Sequence, residues 1–184
     1  MRIIVGISGA SGAVYGWELL KFLGREGHEI HGVVTDNGWK VLEHECGVTK
    51  KDIENSVTRL HAFNNLGAAI ASGSFKTDAM VVAPCSMRTV AAVANGLADN
   101  LLCRAADVVI KERRRLVLVP RETPLSSIHL GNMLTLSNLG VTIMPASPGF
   151  YHRPETIDGL VKIMVGRIAD ALGIDNQLFL RWSG

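Results

Sequence analysis

Five short apolar runs, rich in β-branched residues, punctuate this sequence at positions 3–7, 30–34, 79–83, 116–119 and 141–144. None alternates apolar with polar. An unbroken run of this kind suits a strand buried on both faces, and such strands belong to parallel sheets covered by helices on either side. Helical periodicity fills the gaps, at 15–24, 89–94, 101–115, 128–139 and 155–172, with a shorter helix at 51–57. Alternating strands and helices predict βαβ units with right-handed crossovers, and hence a doubly wound α/β sandwich.

The remaining bulk properties narrow the class. A chain of 184 residues suggests one domain, residues 1–184, with a surface or oligomer-contact tail at 175–184. Its formal charge of +2 calls for no nucleic-acid partner, and the one dense basic run, Arg113, Arg114 and Arg115, reads as the solvated end of a helix. Cys46, Cys85 and Cys103 are odd in number and widely separated, so they suggest neither a disulfide framework nor a metal site. That pattern suits a reducing cytoplasm. No signal-peptide core precedes the first glycine, and no apolar run reaches membrane-spanning length.

The segment after each predicted strand is the informative feature. The runs lead into Ser8-Gly9-Ala10-Ser11-Gly12-Ala13, Thr35-Asp36-Asn37-Gly38, Pro84-Cys85-Ser86-Met87-Arg88-Thr89, Pro120-Arg121-Glu122-Thr123 and Pro145 to Tyr151. In an open parallel sheet all of these lie at the carboxyl edge, where ligands bind. The segments entering the strands are charged and unremarkable.

The first loop has glycines at 6, 9 and 12. It matches neither GxGxxG nor GxxxxGK. Its glycines still permit close backbone approach to an anionic ligand, and Ser11 stands where the amides of a helix N-terminus are free. The plainer reading is a tight turn with Ser11 as N-cap. Ser86 and Thr89, with Arg88 between them, can hold a phosphate monoester at a helix start or simply cap it. Arg104, Asp107 and Lys111 share one helix face, which suits a salt-bridge ladder or an anion receptor. Arg121 and Glu122 follow a buried strand, as a surface ion pair or as site residues. The histidines form no triad or metal spacing.

The motifs Gly6 to Ala13, Pro84-Cys85-Ser86, Arg104-Ala105-Ala106-Asp107-Val108 and Leu116 to Glu122 together resemble the UbiX-like flavin prenyltransferases. So do Ser127-Ile128-His129-Leu130, Asn132-Met133-Leu134 and Pro148-Gly149-Phe150-Tyr151, and the likeness extends from about residue 2 to Trp182. Ala71-Ser72-Gly73-Ser74-Phe75 favours the branch long described as aromatic-acid decarboxylase small subunits.

The resemblance implies a flavodoxin-like or Rossmann-like three-layer sandwich. It also implies an enzyme that joins a dimethylallyl group to N5 and C6 of reduced FMN. The prenylated FMN would serve a separate UbiD-like decarboxylase. By position, Gly9, Ala10, Ser11, Thr35, Ser86, Met87, Arg88, Thr89 and Arg121 would hold FMN. Lys111, Tyr151 and Arg167 would grip dimethylallyl phosphate, with Arg104 and Glu122 nearby and Trp182 beside the prenyl group. Ser11 and Glu45 match residues that position the ring or handle protons, with Glu43 as the alternative alignment for the glutamate. Lys111 and Glu122 complete the catalytic set. The family's dodecamers place sites at subunit contacts. No DDxxD-like acidic cluster is present, so no metal is expected.

Three rival readings stand beside this one. A flavin-dependent decarboxylase of cysteinyl peptides shares the FMN site, but no PASANT or PxMNxxMW motif is found. A direct decarboxylase of hydroxyarylic acids lacks an evident acid–base pair. An FMN carrier would keep the Ser86–Thr89 cradle and need neither Lys111 nor Arg167.

Overall fold

All six strands of the sheet run in one direction, as the unbroken apolar runs require. The structure, a computed structural model, describes residues 1–182; positions 183 and 184 of the expected tail lie outside it. Strand β1 (Arg2–Ile7) is central, pairing on one side with β2 (Glu29–Val34) and on the other with β4 (Ala79–Cys85). Beyond β4 lie β5 (Arg115–Pro120) and the short β6 (Thr142–Ile143); beyond β2 lies β3 (Arg59–His61). The order β3-β2-β1-β4-β5-β6 is the Rossmann order, and without β3 the five foreseen strands stand in flavodoxin order.

Strand side chains alternate between two apolar layers. Ile3, Val5 and Ile7 join Leu19, Leu23, Ile168 and Leu172 on one face, under α1 (Ala13–Arg25) and α7 (Ile157–Leu172). The helices α2 (Asp36–Cys46) and α3 (Lys50–Ser56) flank that layer. Ile4, Met80, Val82 and Leu118 face the other way, against Leu102, Val109 and Leu136. Those three belong to α5 (Leu101–Lys111) and α6 (Ser127–Asn138), which cover this face with α4 (Met87–Ala94). Truncating a side chain as fully buried as Leu102 costs ~2–5 kcal/mol, so both layers hold the sheet's edge loops firmly.

Two elements differ from the sequence expectation. Helix α2 begins inside Asp36-Asn37-Gly38, which reads as a loop, because Thr35 accepts from the Gly38 amide at 2.9 Å and starts a helix there. Strand β3 is only Arg59–His61 and is paired on one side, too short to leave a periodic trace. Among the described helices, α2 to α7 each begin with a Ser, Thr or Asn side chain on a backbone amide. Helix α1 does not: its N-cap is Gly12, at φ 99°, without a side-chain cap. Ser11, read from sequence as that cap, is not it.

Candidate active site

The carboxyl ends of β1 and β4 are where the strand order reverses, and the loops leaving them enclose a cleft of about 370 Å³. Ser8, Gly9, Thr35, Asp36, Asn37, Phe63, Ser86, Arg88, Thr89, Asp99 and Asn100 line it. The wall is built from hydroxyls. The Ser8 side chain donates to Pro84 O at 3.1 Å and accepts from the Ser86 amide at 2.7 Å, which ties the β1 loop to the β4 loop. Ser86 caps α4, accepting from the Thr89 amide, and its hydroxyl lies 3.1 Å from that of Thr89. Amides and hydroxyls thus converge at a helix start, the local chemistry that holds a phosphate.

Gly9 lines the cleft because nothing larger fits: a Cβ there would collide with the Cβ of Asn37. Ala10 is buried behind it. Met87 is buried too, whereas Arg88 is exposed and paired with Asp99 at 3.3 Å. Asp99 therefore tempers the charge that Arg88 brings. The cleft fits a flavin mononucleotide: its volume lies in the range of small-molecule sites, its phosphate end is the Ser86–Thr89 cradle, and its glycine admits a planar group against backbone.

A second group forms at the rim. Glu45, on α2, reaches the bare N-terminus of α1, where its Oε2 accepts from the Gly12 amide at 2.8 Å and the Ala13 amide at 2.9 Å. Glu45, not Glu43, makes this contact. The α1 amides expected to be free for a ligand are therefore occupied by this carboxylate. Partial burial pushes the Glu45 pKa up, but hydrogen bonds from the Ser11 hydroxyl and the two amides, with the charge of Arg121, outweigh it and leave the carboxyl below its ordinary value. Ser11 and Glu45 thus meet at the start of α1, and Arg121 acts on the carboxylate through its charge. Glu122, next in the chain, is exposed and accepts from the Thr123 amide at 3.0 Å.

The remaining expected site residues lie elsewhere. Tyr151 and Trp182 meet edge to face, with ring centroids 6.0 Å apart, and both are exposed. Arg167, on α7, bonds Asp170 at 3.2 Å, a carboxylate it shares with Arg181. Arg104 pairs with Asp107 at 2.9 Å as a ladder would, but Lys111 pairs with Glu112 at 2.6 Å instead. Helix α5 starts beside the cleft at Asn100 and ends at Lys111 near the start of β5, at the amino edge. Eleven residues of helix span about 16 Å, which keeps Lys111 out of its own chain's cleft.

A doubly wound sheet with a hydroxyl-lined helix N-terminus at its switch point defines an α/β protein that binds a phosphorylated, nucleotide-sized ligand. A family model described as Flavoprotein matches residues 1–169. The chain is 47% identical over 188 aligned positions to a flavin prenyltransferase UbiX of Halalkalibacterium halodurans, covering 97% of this chain and 91% of that one. A crystal structure of AnUbiX (PadA1) in complex with FMN and dimethylallyl pyrophosphate superimposes with a TM-score of 0.98 at 42% identity, covering 100% and 97% of the two chains. A dodecameric FMN-dependent Ubix-like decarboxylase from Escherichia coli O157:H7 gives 0.97 at 45%, with full coverage of both. This chain belongs to the Flavoprotein family and, within it, to the UbiX flavin prenyltransferases. The likeness to the FMN-dependent cysteine decarboxylase TvaF, 21% identical at a TM-score of 0.63, is one of fold alone.

Proposed function

We propose that this protein joins the dimethylallyl group of dimethylallyl phosphate to N5 and C6 of reduced FMN, making prenylated FMN for a UbiD-like decarboxylase. The observation that carries the reading is the Ser86–Thr89 phosphate cradle at the switch-point cleft, in a chain of this family. Residues 1–184 act as a single FMN-binding domain. Gly9, Ala10, Ser11, Thr35, Ser86, Met87, Arg88, Thr89 and Arg121 hold the flavin, Met87 and Ala10 through backbone.

Reduced FMN supplies the nucleophilic N5 and C6. The chain's own residues handle the leaving group. As the prenyl C–O bond breaks, its electron pair leaves with the phosphate, and Lys111, Arg104 and Arg167 meet that charge while Tyr151 donates a hydrogen bond. These cations take the place a metal ion has in other prenyl transfers. Trp182 offers an aromatic face to the allylic cation, and Glu122 completes the rim. Once N5 has taken up the allylic cation, closing the ring would need a proton delivered to the remaining alkene so that C6 can bond to it, and the ring would then give up its C6 proton. Glu45 is committed to two amides and Ser11 and is held ionised, which makes it a weak base. The departing phosphate, with its second pKa near ~6, is the better acceptor. Glu45 then positions Ser11 over the ring.

Because Lys111 stands at the amino edge of its own subunit, the full site requires a neighbouring copy. We propose a homo-oligomer, dodecameric like the E. coli relative. The exposed apolar side chains of α6, Ile128, Leu130 and Leu134, supply a surface for contact between copies. Among the described residues no helix is long and apolar enough to cross a membrane. We place the protein in the cytoplasm, where its three unbridged cysteines stay reduced.

The test is anaerobic incubation of the protein with reduced FMN and dimethylallyl phosphate, followed by mass analysis of the flavin. A flavin heavier by one C5 unit is expected. Unmodified FMN bound under these conditions would overturn the transferase reading and favour an FMN carrier.

A further inference from the structure

We propose that Glu112, Arg114 and Gly73 are positioning residues for Lys111, fixing its ammonium where the prenyl phosphate departs. The inference rests on the transferase reading. A lysine ammonium on four flexible carbons has many rotamers to lose, and Asp107, one turn earlier on α5, is taken by Arg104. The structure restrains it from two sides.

The first restraint is the turn after α5. Arg113 adopts a left-handed backbone, φ 54°, and the amides of Glu112, Arg113 and Arg114 bond back to Val108, Ile110 and Val109. This turn sets Glu112 beside Lys111, with Oε1 2.6 Å from Nζ, and Glu112 Oε2 3.9 Å from Arg114. Arg114 offsets the carboxylate, so the trio keeps a net positive charge for an incoming anion.

The second restraint is the strap of small residues that crosses α5. Arg114, its side chain only 15% exposed, donates to Gly73 O at 2.5 Å and to Phe75 O at 3.0 Å. At the other end Arg104 donates to Ala71 O at 3.2 Å. The strap is thereby clamped so that Gly73 lies directly beneath the Lys111–Glu112 pair. A Cβ at position 73 would collide with Glu112 Oε1 and stand 2.9 Å from Lys111 Nζ. Gly73 has no left-handed backbone to require glycine. What it supplies is the space into which the ion pair is pressed.

That geometry gives a clean perturbation. Gly73→Ala meets only the ends of two flexible side chains, so the fold is kept while the ammonium is displaced. A misplacement on the order of 1 Å can cost up to ~100-fold, and the expected result is a KM for dimethylallyl phosphate raised about 10- to 100-fold with FMN affinity unchanged. Glu112→Gln, which keeps the shape and loses the charge, should show the same split more weakly. The decisive measurement is the double variant Gly73→Ala/Lys111→Ala: it should be no worse than Lys111→Ala alone, because Gly73 acts only through Lys111. Additive losses, or FMN affinity falling in parallel with KM, would overturn the positioning role while leaving the transferase reading intact. A Lys111→Ala enzyme with undiminished turnover would remove Lys111 from the site and sink the proposal by a distinguishable route.

Discussion

Helix α1 begins at the cleft without a cap of its own, and Glu45, 32 residues beyond Ala13, supplies one from another helix. Removing it tests both the architecture and the assigned role. In Glu45→Ala the Gly12 and Ala13 amides lose their acceptor, at a cost comparable with an N-cap deletion, ~1 kcal/mol. Loss of a carboxylate at a helix N-terminus adds ~0.3–1 kcal/mol. Together these come to about 1.3–2 kcal/mol, and for a chain of this size roughly 2–4 °C of Tm per kcal/mol gives a drop of about 3–8 °C. Glu45→Gln keeps an acceptor oxygen and loses only the charge, so it should lose ~0.6–4 °C, less than Glu45→Ala.

The assay is thermal unfolding of the flavin-free protein at one fixed protein concentration, since assembly makes Tm concentration-dependent. The pH dependence comes from the lowered carboxyl pKa. Its stabilisation is fully present above the unfolded value of 4.5 and is lost as pH falls through the lower folded value. The gap between the native protein and Glu45→Gln should therefore close in acid. Equal losses in the Ala and Gln variants, or a gap that persists below that window, would refute the charge-assisted cap.

Three further outcomes are expected. His61 is buried with its Nε2 2.9 Å from His31 Nδ1, and burial, His31 and Arg59 together push its pKa down to about 4. The unfolded chain thus binds the proton first, so stability should fall by ~2 kcal/mol as pH drops from about 6.5 to about 4, and His61→Gln should flatten that slope in denaturant titrations. Ser86→Ala removes both the α4 cap and a phosphate donor; FMN binding measured by fluorescence should weaken about 10-fold, with the Lys111 half of the site untouched. Gly9→Ala forces a Cβ into Asn37 and should destabilise the protein by ~1–3 kcal/mol in the same denaturant titrations, while an unchanged midpoint would mean the loop yields freely.

Local periodicity reached what is local. Strands β1, β2, β4 and β5 and the helices α1, α5 and α7 announce themselves because each buries a continuous apolar set, and the Ser86–Thr89 cradle announces itself because a cap is an i, i+3 relation. Helix α2 did not, because its stripe is only Trp39, Leu42 and Cys46 and its first turn is Asp36-Asn37-Gly38, residues that read as a loop. Strand β3 failed for a related reason: three residues, of which Arg59 is exposed, cannot set up a period.

The site divides along the same line. Its flavin half is assembled from strand-to-helix loops of one chain, so topology alone brings Gly9, Thr35 and Ser86 to one edge. Glu45 required the fold, because no spacing rule relates it to Gly12; only α2 packing beside α1 places its carboxylate on those amides rather than that of Glu43. The cationic half is less legible still. Arg104 and Lys111 satisfy an ordinary helix-surface pattern, and even in three dimensions Lys111 stands about 16 Å of helix away from the cleft-lining Asn100. Among the described residues of one chain Lys111 bonds only Glu112, over a glycine with no room for a side chain. An ammonium at the amino edge, bonded there to Glu112, meets the prenyl phosphate as proposed only where a second copy brings its cleft to it. On the proposed function, the catalytic unit is then larger than the folding unit.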